Sequence, residues 1–227
     1  MIGYKAFIEN NGTYHTKHGD TSLEYEIGKE YSMEGDLKMC DNGYHVCYDP
    51  INTRKYYDLE NTIVFKITVE GSTIITEGNK SCTHKYKLLE RLNGNININN
   101  NILYWKDGKL HRLDGPAIIY ANGDQEWYVE GKRHRLDGPA LIRANRDQVW
   151  WVEGKRHRLD GPAIARANEY QAWYFEGKRH RLDGPAVIRA DEFQAWYVDG
   201  ELHRLDGPAV IYSDGTKEWY VEGKLQK

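Results

Sequence analysis

The sequence predicts a mainly β protein, with a small α+β N-terminal domain followed by an elongated antiparallel β-hairpin repeat array. Three observations predict it. The heptapeptide His-Arg-Leu-Asp-Gly-Pro-Ala begins at His111, His134, His157, His180 and His203, always 23 residues apart. An aromatic pair keeps the same register at Tyr104-Trp105, Trp127-Tyr128, Trp150-Trp151, Trp173-Tyr174, Trp196-Tyr197 and Trp219-Tyr220. Each pair is followed by an acid-Gly dipeptide, from Asp107-Gly108 to Glu222-Gly223. A fixed period of this length marks one supersecondary unit copied in tandem.

Residues 1–92 lack the repeat and read as a separate globular domain. Its candidate strands are 4–8, 44–47 and 62–69, and a short helix is expected from Asp49-Pro50, carrying Tyr56-Tyr57, because Pro suits the first turn. Residues 93–102 form an Asn-rich linker or degenerate cap, and 103–227 hold five repeats plus a terminal strand. Short aromatic and β-branched runs separated by acid-Gly or Asn-Gly pairs indicate hairpins, whose turns need positive φ. Recurring Pro and Gly, without an apolar stripe of helical period, argue against helices. Two strands per unit, added edgewise, would place equivalent residues about 9.6 Å apart. The end units must then blunt open edges.

The formal charge of −3 comes from the first hundred residues, where 11 basic side chains face 14 acidic ones. The remainder carries 20 of each, so no global field draws in nucleic acid. Three cysteines suggest a reducing compartment, and neither a secretory signal nor a long apolar run is visible. These features predict a soluble protein of the cell interior.

Within each heptapeptide, Arg and Asp stand two residues apart, on one face of an extended segment, and read as a brace across the Gly-Pro bend. A metal ladder of histidines is disfavoured, since ligands about 9.6 Å apart cannot share an ion with bonds of about 2.0–2.1 Å. The positions that break the repeat are more informative. Tyr120 and Tyr212 of the outer units become Arg143, Arg166 and Arg189, while Glu126 and Glu218 become Val149, Ala172 and Ala195. The turns Asn122-Gly123 and Asp214-Gly215 become Asn145-Arg146, Asn168-Glu169 and Asp191-Glu192, where Asn and Asp are expected to take the left-handed conformation. Tyr170 and Phe193 follow two of these turns and read as exposed aromatics. Residues 131–200 thus carry 13 basic against 10 acidic side chains, and Arg beside aromatics is the composition of interface hot spots. The candidate partner- or ligand-binding residues are Arg143, Arg166, Arg189, Trp151, Tyr170 and Phe193.

The aromatic-Gly-Lys strand, second strand and Asp-Gly turn over 23 residues resemble the MORN repeat, and more closely its divergent form in proteins of phages and large DNA viruses. The likeness covers residues 103–223, departs from the commoner form in its Leu-Asp-Gly-Pro insertion, and implies scaffolding or partner binding. Gly3-Tyr4-Lys5-Ala6-Phe7, Tyr25-Glu26-Ile27-Gly28-Lys29-Glu30-Tyr31 and Cys40 with Gly43-Tyr44-His45-Val46-Cys47 resemble an uncharacterised family of small phage-encoded proteins. Cys40, His45, Cys47, Cys82 and His84 could supply four zinc ligands, although buried cysteines are the default. The order of N-terminal elements loosely resembles an ADP-ribosyltransferase core. That likeness implies a dinucleotide-holding role for His45, but the stretch 80–85 lacks the family's catalytic glutamate. The expectation is a non-enzymatic viral or phage binding protein without a cofactor, engaging a host protein in the host cytoplasm through its central repeats. Its counterpart is sequestration of a small anionic ligand such as a signalling nucleotide.

Overall fold

The computed structural model describes residues 2–10, 13–16, 24–32, 44–55, 62–77 and 80–226. The chain is mainly β and divides into two compact units, Met1–Arg112 and Leu113–Lys227.

The first unit contains β1 (Ile2–Asn10), β2 (Thr13–His15), β3 (Glu30–Ser32), β4 (Tyr44–Val46), a 3-10 helix (Pro50–Lys55), β5 (Thr62–Glu77) and β6 (Lys80–Arg91). These strands form one antiparallel sheet in the order β2-β1-β5-β6-β3, with β4 also paired to β6. Ile63, Phe65, Ile67 and Val69 alternate along β5 and meet Phe7, Tyr86 and Leu88 in the core. Successive strand side chains point to opposite faces, so this alternation buries one side of the sheet. Tyr14 and Tyr25 pack their rings against Phe65 and Phe7 at 4.8 and 4.9 Å. The helix expected at Asp49-Pro50 is a single 3-10 segment, with Asp49 Oδ1 accepting from the Ile51 N–H. Tyr56 and Tyr57 lie outside the described residues.

Of the two readings of the Asn-rich segment, linker or degenerate cap, the strand pairing agrees with the cap. β7 (Gly94–Ile98) pairs with β8 (Asn101–Lys106) around Asn99 and Asn100, both at positive φ, and β9 (Lys109–Leu110) pairs back onto β8. The Gly108 carbonyl accepts from the Val64 N–H and its own N–H donates to the Leu92 carbonyl, both at 2.8 Å. A Cβ at Gly108 would lie 2.3 Å from Ile63 Cγ2, so only glycine permits this approach. These bonds place the first aromatic hairpin in the N-terminal unit, and the unit boundary falls inside the first heptapeptide.

In the second unit each full repeat supplies four two-residue strands, not two. In the second repeat, Leu141–Ile142 and Gln148–Val149 join a sheet shared by all repeats. Trp151–Val152 and Lys155–Arg156 then close a separate ribbon. The chain leaves the shared sheet at Trp150, whose N–H donates to the Ala163 carbonyl and whose carbonyl accepts from His157. Ribbon turns carry positive φ at both central residues, 48° at Glu153 and 78° at Gly154, which is the type I′ geometry their composition favours. In the other turn the left-handed residue is not the Asn or Asp expected from sequence. It is Gly123 and its equivalents Arg146, Glu169, Glu192 and Gly215. The preceding Asn or Asp accepts a side-chain bond instead, as Asn145 Oδ1 does from the Asp147 N–H at 3.0 Å.

The heptapeptide arginine braces its bend as expected. Arg135 Nε donates to Asp137 Oδ1 at 2.9 Å and Nη1 to the Pro139 carbonyl at 3.3 Å. Its guanidinium also lies 4.2 Å from the Trp127 ring centroid, and the next three copies stack on Trp150, Trp173 and Trp196 at 3.9–4.0 Å. Such stacks contribute roughly 0.5–1 kcal/mol at exposed sites.

Candidate functional site

In the first repeat a buried carboxylate organises one face of the array. Glu126 is 5% exposed and accepts from the Tyr120 hydroxyl at 2.9 Å, the Tyr128 hydroxyl at 2.7 Å and Arg133 Nε at 2.9 Å. Arg133 Nη2 adds a fourth contact at 2.9 Å. The last repeat keeps part of this arrangement, with the Tyr212 hydroxyl donating to Glu218 at 3.1 Å.

The three central repeats remove the carboxylate and keep or add the cations. Val149, Ala172 and Ala195 occupy the Glu126 position in register, paired with Leu141, Ile164 and Val187. Arg143, Arg166 and Arg189 occupy the Tyr120 position and are exposed. Arg156 and Arg179 repeat Arg133. Among the described residues none of these five arginines has a carboxylate within ion-pair distance.

Aromatic faces and hydroxyls take the acid's place. Arg166 and Arg189 lie 5.1 and 4.4 Å from the centroids of Tyr170 and Phe193. Arg156 stands between Trp151 and Tyr174, at 5.2 and 5.3 Å. The Tyr174 hydroxyl accepts from Arg156 Nη1 and Arg179 Nε, both at 3.4 Å, and Tyr197 accepts from Arg179 Nη1 at 3.2 Å. Burial works against the charge of Arg179, but the Tyr174 hydroxyl, with the phenols of Tyr197 and Tyr170, holds its guanidinium above the usual range. The Nε atom of Arg156 and the Nε1 atom of Trp151 are buried without a hydrogen bond. A buried unpaired donor costs about 1–3 kcal/mol, more for a charged group.

Five of the six candidates, Arg166, Arg189, Trp151, Tyr170 and Phe193, thus contribute to one cation–aromatic row, with Arg143 in register beside it. Tyr170 and Phe193 are not freely exposed aromatics. Both are half-buried against the cluster of Ile164, Tyr174, Val187 and Val210, because the core of each two-residue strand needs their rings. Sequence reading missed Arg156 and Arg179. Their signal was a third break in the repeat, offset by one unit from the other two: the position is Arg133, Arg156 and Arg179 in the first three repeats and Leu202 and Leu225 in the last two, as it is Leu110 before them. It also missed Leu113, Leu136, Leu159, Leu182 and Leu205, each 79–81% exposed at the heptapeptide bends.

In the N-terminal unit Cys47 and Cys82 are buried, and His45 pairs with Cys82 in strand register. Cys40 lies outside the described residues, which contain no group of three or more His, Cys, Asp or Glu able to hold a metal. No helix among the described residues is long and apolar enough to cross a membrane.

Residues 1–99 match a family model described as a domain of unknown function, DUF7666. No curated protein matches the chain.

Proposed function

We propose that the chain is a non-enzymatic binding protein of viral or phage type whose central repeats engage an acidic surface of a host protein. The observation that carries this reading is the row of five arginines that have no carboxylate partner among the described residues, bounded by the acid-bearing repeats of Glu126 and Glu218. Guanidiniums left to aromatic faces keep donors for an incoming carboxylate, and charge-assisted bidentate pairs are the strongest such contacts. Arg and aromatic residues are also the side chains that dominate interface energetics. Sequestration of a small anionic ligand would use the same donors. Equivalent arginines recur at about 9.6 Å, so a small anion meets at most two repeats whereas a protein surface meets all three.

The test is affinity capture from host lysate with the wild-type chain and with Arg143, Arg166 and Arg189 replaced by Tyr, the residue of the outer repeats. Specific recovery of a host protein by the wild type, lost in the variant at unchanged circular dichroism, is the expected result. Equal recovery by both chains would refute the reading.

A further inference from the structure

The first repeat holds a carboxylate of its own, Glu126, at a position where the next two repeats have Val149 and Ala172. Glu126 closes a ring of two phenols and a guanidinium, with four contacts of 2.7–2.9 Å. The positions equivalent to Tyr120, Glu126, Tyr128 and Arg133 are Arg143, Val149, Trp151 and Arg156 in the second repeat and Arg166, Ala172, Tyr174 and Arg179 in the third. Each set has exchanged the Tyr120 hydroxyl for a second guanidinium while losing its acid, and that of the second repeat has also exchanged the Tyr128 hydroxyl for an indole. The remaining bonds are weak by comparison. They are the two 3.4 Å contacts to Tyr174, the 3.2 Å contact to Tyr197 and a buried Arg156 Nε with no partner. Stability alone does not call for this exchange. The same array places leucine at the arginine position in Leu202 and Leu225, beside the phenols Tyr197 and Tyr220.

We infer that Arg156 and Arg179, with Arg143 and Arg166 beside them, form two carboxylate-binding subsites, each taking a Glu or Asp side chain of the partner where Glu126 supplies its own. This rests on the proposed role of the central face and specifies its chemistry. The subsites repeat at about 9.6 Å. Side chains on one face of an extended strand recur at about 6.7 Å, a poor match. Acidic residues one heptad apart on an α-helix recur on one face at about 10.5 Å, which fits. The partner element is therefore a helix with heptad-spaced acids.

The probe is a synthetic Ala/Gln helix with a Glu at every seventh position, titrated into the full chain while the arginine Nε–H signals are followed by NMR. The control peptide has the same composition with its Glu residues adjacent, and polyphosphate of equal charge is a third arm. The expected result is perturbation of the Arg156 and Arg179 signals by the heptad peptide and a weaker effect of the control. Arg156→Leu with Arg179→Leu, the residue native to the equivalent outer positions, should weaken binding about ten- to hundredfold. Val149→Glu should do the same by supplying an internal acid to Arg156. If that chain does not fold, the leucine pair gives the reading. Perturbation by polyphosphate but not by the peptide overturns the carboxylate assignment. Lysate capture that is lost on changing Arg143, Arg166 and Arg189 but survives both Arg156→Leu/Arg179→Leu and Val149→Glu overturns the inference and leaves the proposed function standing.

Discussion

Nδ1 of His157, just after one ribbon, accepts the backbone N–H of Glu176, 3.2 Å away in the turn of the next ribbon. The same bond links His134 to Glu153, His180 to Asp199 and His203 to Glu222, at 3.1–3.2 Å. Each recipient has a φ of 47–50°, a conformation that costs a non-glycine residue roughly 1–2 kcal/mol. The histidine offsets that cost and fastens one ribbon to the next, which accounts for its presence in every heptapeptide.

His157→Ala should therefore destabilise the array by about 0.5–1.5 kcal/mol, the net worth of one such bond. His134, His157 and His180 are a repeat apart, so the triple variant should lose close to the sum of the single losses. Urea unfolding measures both. A triple variant as stable as the wild type would remove the histidines from the inter-repeat contact.

Gly161→Ala should be costly although its backbone is not left-handed. Its Cβ would lie 3.0 Å from Cζ of Arg158, the guanidinium that bridges Asp160 and the Trp150 ring. Displacing that group weakens the brace and the stack together, about 0.5–1 kcal/mol on the scale of an exposed cation–π contact. Denaturant midpoints and Trp fluorescence read the change.

Acid should loosen the bends first. Hydrogen bonds from Arg135, Arg158, Arg181 and Arg204 hold the carboxyls of Asp137, Asp160, Asp183 and Asp206 below their usual range. A carboxyl depressed on folding contributes stability above its unfolded pKa, about 3.9, and loses it as pH falls through the lower folded value. Stability should thus be level from neutral pH to about pH 4 in this respect and fall below it. Replacing the four aspartates with Asn should flatten the acid limb in pH-dependent urea titrations. A limb of unchanged slope would assign it to other groups.

Glu169→Gly and Glu192→Gly should stabilise. Their φ values of 63° and 64° cost roughly 1–2 kcal/mol each, of which glycine's extra freedom in the unfolded chain cancels about 0.5–1. A net gain of about 0.5–1 kcal/mol per site is expected in thermal unfolding, and a loss would mean that the Glu side chains make compensating contacts.

The architecture was legible because hairpin chemistry is local. Acid-Gly pairs at positive φ, the Arg-Asp brace and the two-strand contribution to a shared sheet all follow from residues within one period. The second row of ribbons was not legible, since it depends on where Trp150 turns the chain out of the shared sheet. Asn-rich composition leaves residues 93–102 open between a linker and a degenerate cap, because it hides the Gly108 docking that fixes the hairpin they enter. At the site, Tyr-to-Arg and Glu-to-Ala changes were visible as breaks in register. Their meaning needed the third dimension: only the ring around Glu126 shows that positions 120, 126, 128 and 133 meet, and so that Arg156 and Arg179 belong with Arg143 and Arg166.

The central claim is that a host protein docks on the face of Tyr170 and Phe193. Site-specific photo-crosslinking tests it most directly, with a photoreactive phenylalanine at position 170 or 193 and, for comparison, at the exposed Leu136 or Leu159. Adducts from positions 170 and 193 but not from 136 and 159 are the predicted result. Adducts confined to the leucine positions would contradict the account and move the contact surface to the heptapeptide bends.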